Sequence, residues 1–304
     1  MYDVIIIGAG PAGLSGALYC SRAGLNTLIL DAGAPGGKLN LTAEIENYPG
    51  YKEVAGPELA YEMFEHATKF GATYEYGQVQ EIIDLKDHKK VICDEGEYEA
   101  KAVLIASGTK ERKMNILHEE EMTGRGVSYC AVCDGAFFTG EEVAVIGGGN
   151  SALEEAMYLT RFASHVHLIV RRDVFRADNI VQEKLKENDK IIVHFNQKPV
   201  DLQINEQENK VSGLILEDTR TGEHSVLPIA CVFPFIGLDP ISDFASKLNI
   251  TNEQGYIITD ENMKTSCDGI YAAGDVREKF LRQVVTATND GAIAAQAIFH
   301  DCFE

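Results

Sequence analysis

The sequence predicts an α/β fold of two lobes built from βαβ units, the second lobe inserted into the first. Three observations predict it. A short β-branched run, a glycine cluster, an Ala/Leu-rich helical stretch and a further strand follow one another twice, with the glycine clusters 139 residues apart. No low-complexity or Pro/Ser-rich linker interrupts the chain. The last stretch, 241–304, is too short for a comfortable domain of its own, so it is expected to fold back onto the first lobe.

The elements follow in order. Residues 4–7 are a buried parallel strand, Gly8-Ala9-Gly10-Pro11-Ala12-Gly13 is the turn, 14–23 is the helix and 27–30 the next strand. The repeat runs 143–146, Gly147-Gly148-Gly149-Asn150-Ser151-Ala152, 153–162 and 166–170. Proline restricts the residue before it, which predicts a boundary at Asp239-Pro240. The domains expected are therefore 1–112 with 241–304, and 113–240. Within the tail, 270–273 reads as a strand, Gly274-Asp275 as a turn and 290–299 as a helix. Both domains are expected to be Rossmann-like, three-layer ββα nucleotide-binding folds.

Composition narrows the function. The 304 residues carry 27 Lys+Arg against 47 Asp+Glu, a net charge of −20, which argues against binding nucleic-acid phosphates or anionic lipid. No stretch approaches the ~20 apolar residues of a membrane helix, and the opening MYDVIIIGAG lacks a basic n-region, so a secretory signal is not expected. The seven cysteines are scattered except for one close pair, which reads as a reducing compartment, the cytoplasm, rather than a secreted disulfide framework.

Each glycine cluster lies between a strand and a helix, the context that gives the motif its meaning. The first glycine allows the tight turn, the second lets backbone approach a pyrophosphate, and the third position packs helix on strand. The residue at the end of each unit's second strand separates two ligands. The first unit's second strand ends at Asp31, 18 residues past Gly13; its carboxylate can accept from ribose hydroxyls and would repel a 2′-phosphate, as suits FAD or NAD. The second ends at Arg171-Arg172, with Arg176 close behind, and guanidinium groups there match the 2′-phosphate of NADPH. The plainer alternative is a solvated basic turn.

The pair Cys130-Ala131-Val132-Cys133, followed by Asp134, suits a redox dithiol. Half of a zinc site is the rival; it lacks a second close cysteine pair, although His165 and His167 alternate on a strand. Hydride from a nicotinamide reaches a disulfide most simply through a flavin, with an acid at hand to protonate a thiolate. Asp134 is the candidate acid, its plainer role being to cap the next turn with Gly135.

A flavin fingerprint, an internal cysteine pair and then an NADPH fingerprint resemble, in that order, the low-molecular-weight bacterial-type thioredoxin reductases. The resemblance covers nearly the whole chain. It rests also on Gly36-Gly37-Lys38-Leu39, Glu46-Asn47-Tyr48-Pro49-Gly50, Ala106-Ser107-Gly108 and Gly274-Asp275 with Arg282-Gln283-Val284. It implies a homodimer with non-covalent FAD that passes electrons from NADPH through the flavin to the cysteine pair and on to thioredoxin. Cys133 would lie against the flavin, Cys130 would attack the thioredoxin disulfide, and Asp134 would act as acid. Asp31, the turn from Gly36 to Leu39, Asn47, Val79, Ser107 and Gly108 would help hold FAD. Asp275 would bond the ribityl chain, and Arg282, Gln283 and Val284 would line the isoalloxazine. The family also implies that the NADPH domain rotates, with hinges expected near 110–114 and 236–240. Arg125 and Phe137-Phe138 match in kind the residues that dock thioredoxin; a surface charge and a buried pair is the other reading.

Two positions depart from the family's pattern. Val170 stands where histidine usually precedes the paired arginines, and Lys38 where glutamine is common. Other readings stay open on the sequence: a flavin disulfide reductase fed by ferredoxin or serving another dithiol acceptor, and a flavin-bound redox sensor. Ferredoxin–NADP reductases share the folds but normally lack the cysteine pair.

Overall fold

The computed structural model describes residues 1–42 and 44–304. The chain separates into two compact units, Met1–Lys110 with Asp239–Glu304, and Glu111–Leu238.

The first unit is a parallel sheet carrying a β-meander. Its strands run in the order Thr73–Tyr76, Thr27–Asp31, Tyr2–Ile7, Gly96–Ile105, with Ile270–Ala272 pairing the free side of the last. Gly96–Ile105 belongs to two layers. Its C-terminal half pairs in parallel with Tyr2–Ile7, while its N-terminal half pairs antiparallel with Lys89–Cys93, which in turn pairs with Val79–Asp84. On one face the buried residues Val4, Ile6, Ile29 and Leu104 pack against Leu14, Ala17, Ala294 and Ile298 of the helices Pro11–Arg22 and Val284–Phe303. On the other, Ile5, Ile7, Leu28 and Val103 pack against Ile82 and Val91 of the meander.

Those two helices cross with almost no side chain between them. A Cβ on Gly291 would lie 2.1 Å from the Ala12 carbonyl oxygen, and one on Gly16 would lie 2.6 Å from a Leu104 methyl. Only hydrogen fits at either place.

The second unit repeats the plan. Four parallel strands run in the order Ile191–Phe195, His165–Val170, Glu142–Ile146, Cys231–Pro234. Val143, Val145, Leu168 and Phe233 face the helices Asn150–Leu159 and Asn179–Lys186, where Ala152, Leu153, Val181 and Leu185 meet them. Ala144, Ile146 and Ile169 face an antiparallel sheet, Gln197–Asn205, Lys210–Asp218 and His224–Leu227, through Leu202, Leu214 and Leu216. Both units therefore have the helix–sheet–sheet layering of the expected α/β fold. No helix among the described residues is long and apolar enough to cross a membrane.

Element ends differ from the sequence reading for local reasons. The first helix begins at Pro11, three residues before the expected start, because Gly10 is its extended N-cap and proline suits the first helical position. The C-terminal helix runs Val284–Phe303 rather than 290–299; a capping box between Gln283 and Thr286 starts it through a β-branched stretch. The strand Ile270–Ala272 ends one residue before Ala273.

Candidate functional site

In the first unit the glycine turn has the geometry its spacing requires. Gly8 has φ +107°, and a Cβ there would lie 2.3 Å from the Ala106 carbonyl oxygen. Gly13 is pressed on Gly8, a Cβ being 1.8 Å from the Gly8 oxygen. Gly10 faces open space, with nothing within 4 Å. No side chain caps the helix that begins at Pro11 and Ala12, so its terminus is exposed to an incoming anion.

Residues far apart in sequence converge on this turn. The Ala9 N–H donates to Asp31 Oδ2 at 2.6 Å and the Gly33 N–H to Oδ1 at 2.7 Å. Burial holds the Asp31 carboxyl above its ordinary range, a rise that these two N–H groups only partly offset. The Gly36 N–H donates to the Ala9 carbonyl at 2.7 Å, and a Cβ on Gly37 would be 3.3 Å from Gly10 Cα, so the segment with Lys38 and Leu39 docks on the fingerprint. Ser107 and Gly108 are fixed by Ile241: Ser107 Oγ donates to its carbonyl at 2.6 Å and its N–H donates to Gly108 at 3.0 Å. Val79 follows Gly77, whose N–H donates to the Asp31 carbonyl at 3.0 Å.

The C-terminal part closes the other side. A Cβ on Gly274, φ +79°, would lie 2.8 Å from Ala12 Cβ. Asp275 follows in a turn of 3₁₀ helix, with Oδ1 buried and without a hydrogen-bond partner. Burial pushes its carboxyl up, while Lys279, Lys38 and Arg282 pull it down. Arg282 donates to the Asp275 carbonyl at 3.4 Å and lies 4.3 Å from the Tyr256 ring centroid. Asn47 Nδ2 donates to Gln283 Oε1 at 3.1 Å, across 236 residues of sequence, and Val284 begins the helix.

In the second unit Gly147, φ +148°, approaches the Phe235 carbonyl and Ala152, which a Cβ would meet at 2.4 and 2.7 Å. Gly149 faces open space and N-caps the helix that opens with Asn150 and Ser151, again with no side-chain cap. Arg171, Arg172 and Arg176 are all exposed, and among the described residues none is paired with a carboxylate. Their loop is tied to the glycine turn by the Arg176 N–H, which donates to the Gly148 carbonyl at 2.7 Å. Val170 is buried against Gly148, its methyl 3.0 Å from where a Cβ would stand.

The same unit carries the cysteines. Cys130 and Cys133 form a disulfide with Cα atoms 5.3 Å apart. Cys130 N-caps the single helical turn Ala131–Asp134 and Cys133 lies within it, its N–H donating to Cys130 Sγ at 3.1 Å. Cys130 is half-buried and Cys133 exposed. Asp134 precedes the turn Gly135–Phe138 and makes no side-chain cap bond to it, so the capping role is not realised. Phe137 is 81% exposed, whereas Phe138 packs edge-on against Phe233. Arg125 is exposed.

Four of the other thiols are held protonated. Burial pushes Cys20 up to about 12 and raises Cys231, the latter helped by the Asp134 carboxylate; Cys267 and Cys302 are also raised by burial. The two strand histidines serve one carboxylate: His167, buried, bonds Glu142 at 2.9 Å and His194 at 2.9 Å, while exposed His165 stands 3.9 Å from Glu142. No group of three or more His, Cys, Asp or Glu among the described residues is arranged to hold a metal.

Two tertiary environments escape the sequence reading. Glu155, in the second fingerprint helix, keeps Oε2 buried without a partner, and burial, with Glu154 beside it, pushes its carboxyl up to about 7. Asp290, in the C-terminal helix, is a buried ion-pair centre. No motif announces Asp290, and the second fingerprint, which contains Glu155, does not tell that its carboxyl is buried.

Residues 2–291 match the family described as pyridine nucleotide-disulphide oxidoreductase. The chain is 52% identical to the thioredoxin reductase of Bacillus subtilis over 99% of its own length and 94% of that protein's. It is 49% identical to the thioredoxin reductase of Listeria monocytogenes, over 97% and 92%. A crystal structure of the Lactococcus lactis thioredoxin reductase superposes with TM-score 0.96 at 46% identity, covering 99% of this chain and 98% of that one.

Proposed function

The chain belongs to the pyridine nucleotide-disulphide oxidoreductase family, among the thioredoxin reductases, and on that premise we propose that it is an NADPH-dependent thioredoxin-disulfide reductase containing FAD. The observation that carries the reading is the Cys130–Cys133 disulfide, an accessible redox pair in a chain whose thiols at Cys20, Cys231, Cys267 and Cys302 are all shifted away from reactivity.

The residues present fit both nucleotides. For FAD, Gly10 opens an uncapped helix terminus, Asp31 offers acceptor oxygens at the strand end, and Asp275 holds a buried oxygen in need of a donor. For NADPH, Gly149 opens a second uncapped terminus, and the loop tied to that glycine turn by the Arg176 N–H carries three exposed arginines. Asp31, the segment from Gly36 to Leu39, Asn47, Val79, Ser107, Gly108, Asp275, Arg282, Gln283 and Val284 would hold FAD. Gly147, Gly149, Asn150, Ser151, Ala152, Arg171, Arg172 and Arg176 would hold NADPH, the arginines reading the 2′-phosphate. When bound, FAD supplies the two-electron chemistry that links a nicotinamide hydride to a disulfide.

The chain's own part is thiol chemistry. An electron pair entering the Cys130–Cys133 bond breaks it and leaves two sulfurs to be protonated or kept as thiolates. Asp134, with no cap bond to make, supplies the proton at Cys133. The Cys130 thiolate attacks the thioredoxin disulfide, forming a mixed disulfide and releasing one thioredoxin thiolate. Cys133, its proton returned to Asp134, then attacks Cys130 Sγ as a thiolate and displaces the second, restoring its bond to Cys130, and the released thioredoxin thiolates take up protons to give the reduced dithiol. Arg125 and exposed Phe137 are the docking residues.

We place the hinge in the crossings Thr109–Glu111 and Leu238–Pro240, short strands that pair with each other. The chain acts as a homodimer in the cytoplasm. Fully exposed Phe280 beside half-exposed Leu281 supports the dimer, and five unpaired cysteines support a reducing compartment. Sedimentation of the FAD-loaded protein tests the first. The activity is tested by following NADPH oxidation in the presence of oxidised thioredoxin; negligible flavin reduction by NADPH with rapid reduction by a ferredoxin would overturn the donor.

A further inference from the structure

The strongest unassigned arrangement lies beneath the Gly274–Asp275 turn. Asp290 is almost completely buried. Its Oδ2 accepts from the Gly274 N–H at 3.0 Å, from Lys279 Nζ at 2.6 Å and pairs with Arg277 Nη1 at 2.9 Å. Both cations are themselves nearly buried, their side chains 10% exposed. One carboxylate thus anchors three points of a single short segment, and the same segment presents Asp275 and Arg282. The second layer of bonds runs back up. Arg282 donates to the carbonyls of Asp275 and Arg277, and Arg277 Nε donates to Thr259 at 2.7 Å. The helix bearing Asp290 is itself fixed against the fingerprint helix by the close approach of Gly291 to Ala12.

Arg277 and Lys279 share Asp290, and Lys279 also faces the Asp275 carboxylate, so the buried charges here are closely balanced and removing any one of them leaves an excess of the other sign out of water. Such charges are screened weakly and act over several ångströms. A reduced flavin is more negative than an oxidised one, so the balance of this cluster bears on the ease of reduction as well as on affinity.

We propose that Asp290 is a positioning residue of the flavin site: by pairing with Arg277 and Lys279 it fixes the Gly274–Asp275 turn and sets the electrostatic balance behind it. The inference rests on the assignment of Asp275 and Arg282 to FAD made above. Asp290→Asn keeps an acceptor for the Gly274 N–H and removes the charge. Lys279→Gln keeps the carboxylate and its Arg277 pair and removes one cation.

The test is made on the FAD-loaded protein, by titrating FAD into the stripped chain and by measuring the flavin midpoint potential. Asp290→Asn weakens FAD binding tenfold or more and moves the potential in the positive direction. Lys279→Gln moves the potential in the negative direction. Opposite shifts are the signature of charge; a merely structural anchor would loosen FAD without ordering the potentials by sign. Binding within twofold of wild type and an unchanged potential in Asp290→Asn, or shifts of the same sign in both variants, overturn the proposal. Should Asp290→Asn not fold, Lys279→Gln decides alone: a negative shift supports the proposal and an unchanged potential overturns it. A wild-type chain that takes up no FAD overturns the cofactor assignment itself, and this inference with it.

Discussion

Asn150 and Asp178 hold each other through two hydrogen bonds of 2.7 Å: Asn150 Nδ2 donates to the Asp178 carboxylate, and the Asp178 backbone N–H donates to Asn150 Oδ1. The first residue of one helix is thereby joined to the N-cap of the next, Asn179–Lys186. With the bond from Arg176 to Gly148, this makes the glycine turn and the arginine loop one body.

Breaking that link should cost nucleotide affinity more than turnover. Asp178→Ala loses about 1 kcal/mol of hydrogen bonding, so KM for NADPH should rise about fivefold with kcat little changed. Asp178→Asn retains an acceptor and should stay within about twofold of wild type. Steady-state kinetics on the three proteins check this; identical KM values would dissolve the coupling.

The arginines should discriminate between nicotinamide cofactors. Charge-assisted bonds contribute about 1.5–3 kcal/mol each, so Arg171→Ala combined with Arg172→Ala should raise KM for NADPH at least about tenfold. KM for NADH should move far less. Equal losses for both cofactors would mean that the guanidinium groups do not read the 2′-phosphate.

Cys130→Ser separates the two half-reactions. NADPH should still bleach the flavin band at close to the wild-type rate, followed by stopped-flow absorbance without oxygen. Turnover with oxidised thioredoxin should fall to background. Surviving thioredoxin reduction would remove the pair from the route.

Glu155 gives a pH signature. Its folded-state pKa is raised from 4.5 to about 7 by burial, with Glu154 adding to it. Its contribution to stability is therefore complete below pH 4.5 and is lost as pH rises through about 7. Glu155→Gln cannot ionise, so it should outlast wild type at pH 8.5 by about 2–3 kcal/mol and match it near pH 4.5. Thermal unfolding at the two pH values is the measurement; a gap that fails to widen with pH would sink the idea.

Much of this was readable from residues alone because its causes are local. Gly8, Gly10 and Gly13 stand where they do for backbone reasons, and the structure gives each the expected environment: positive φ, open space and close packing. The buried parallel strands announced themselves as β-branched runs for the same reason. Start points were less visible. Residues 284–289 look unhelical by propensity, and only the pairing of Gln283 with Thr286 begins the helix there. The antiparallel layer of the second unit, from Gln197–Asn205 to His224–Leu227, alternates imperfectly: two register shifts interrupt its first pairing. The buried environments of Asp290 and Glu155 were invisible because they are tertiary. An aspartate in an alanine-rich helix reads as a solvated face until Arg277 and Lys279 are found beside it.

The crossing of the first and last helices has a consequence for synthesis. Gly291 meets Ala12 only after some 280 further residues have been made, and the turn at Gly274 reaches the same spot scarcely earlier. At about 5–20 residues per second, a ribosome takes roughly 15–55 seconds to bridge that interval. Throughout it the amino-terminal glycine loop has emerged with one wall missing. Loading of the prosthetic group is thereby coupled to completion of translation, and an abandoned nascent chain would remain colourless.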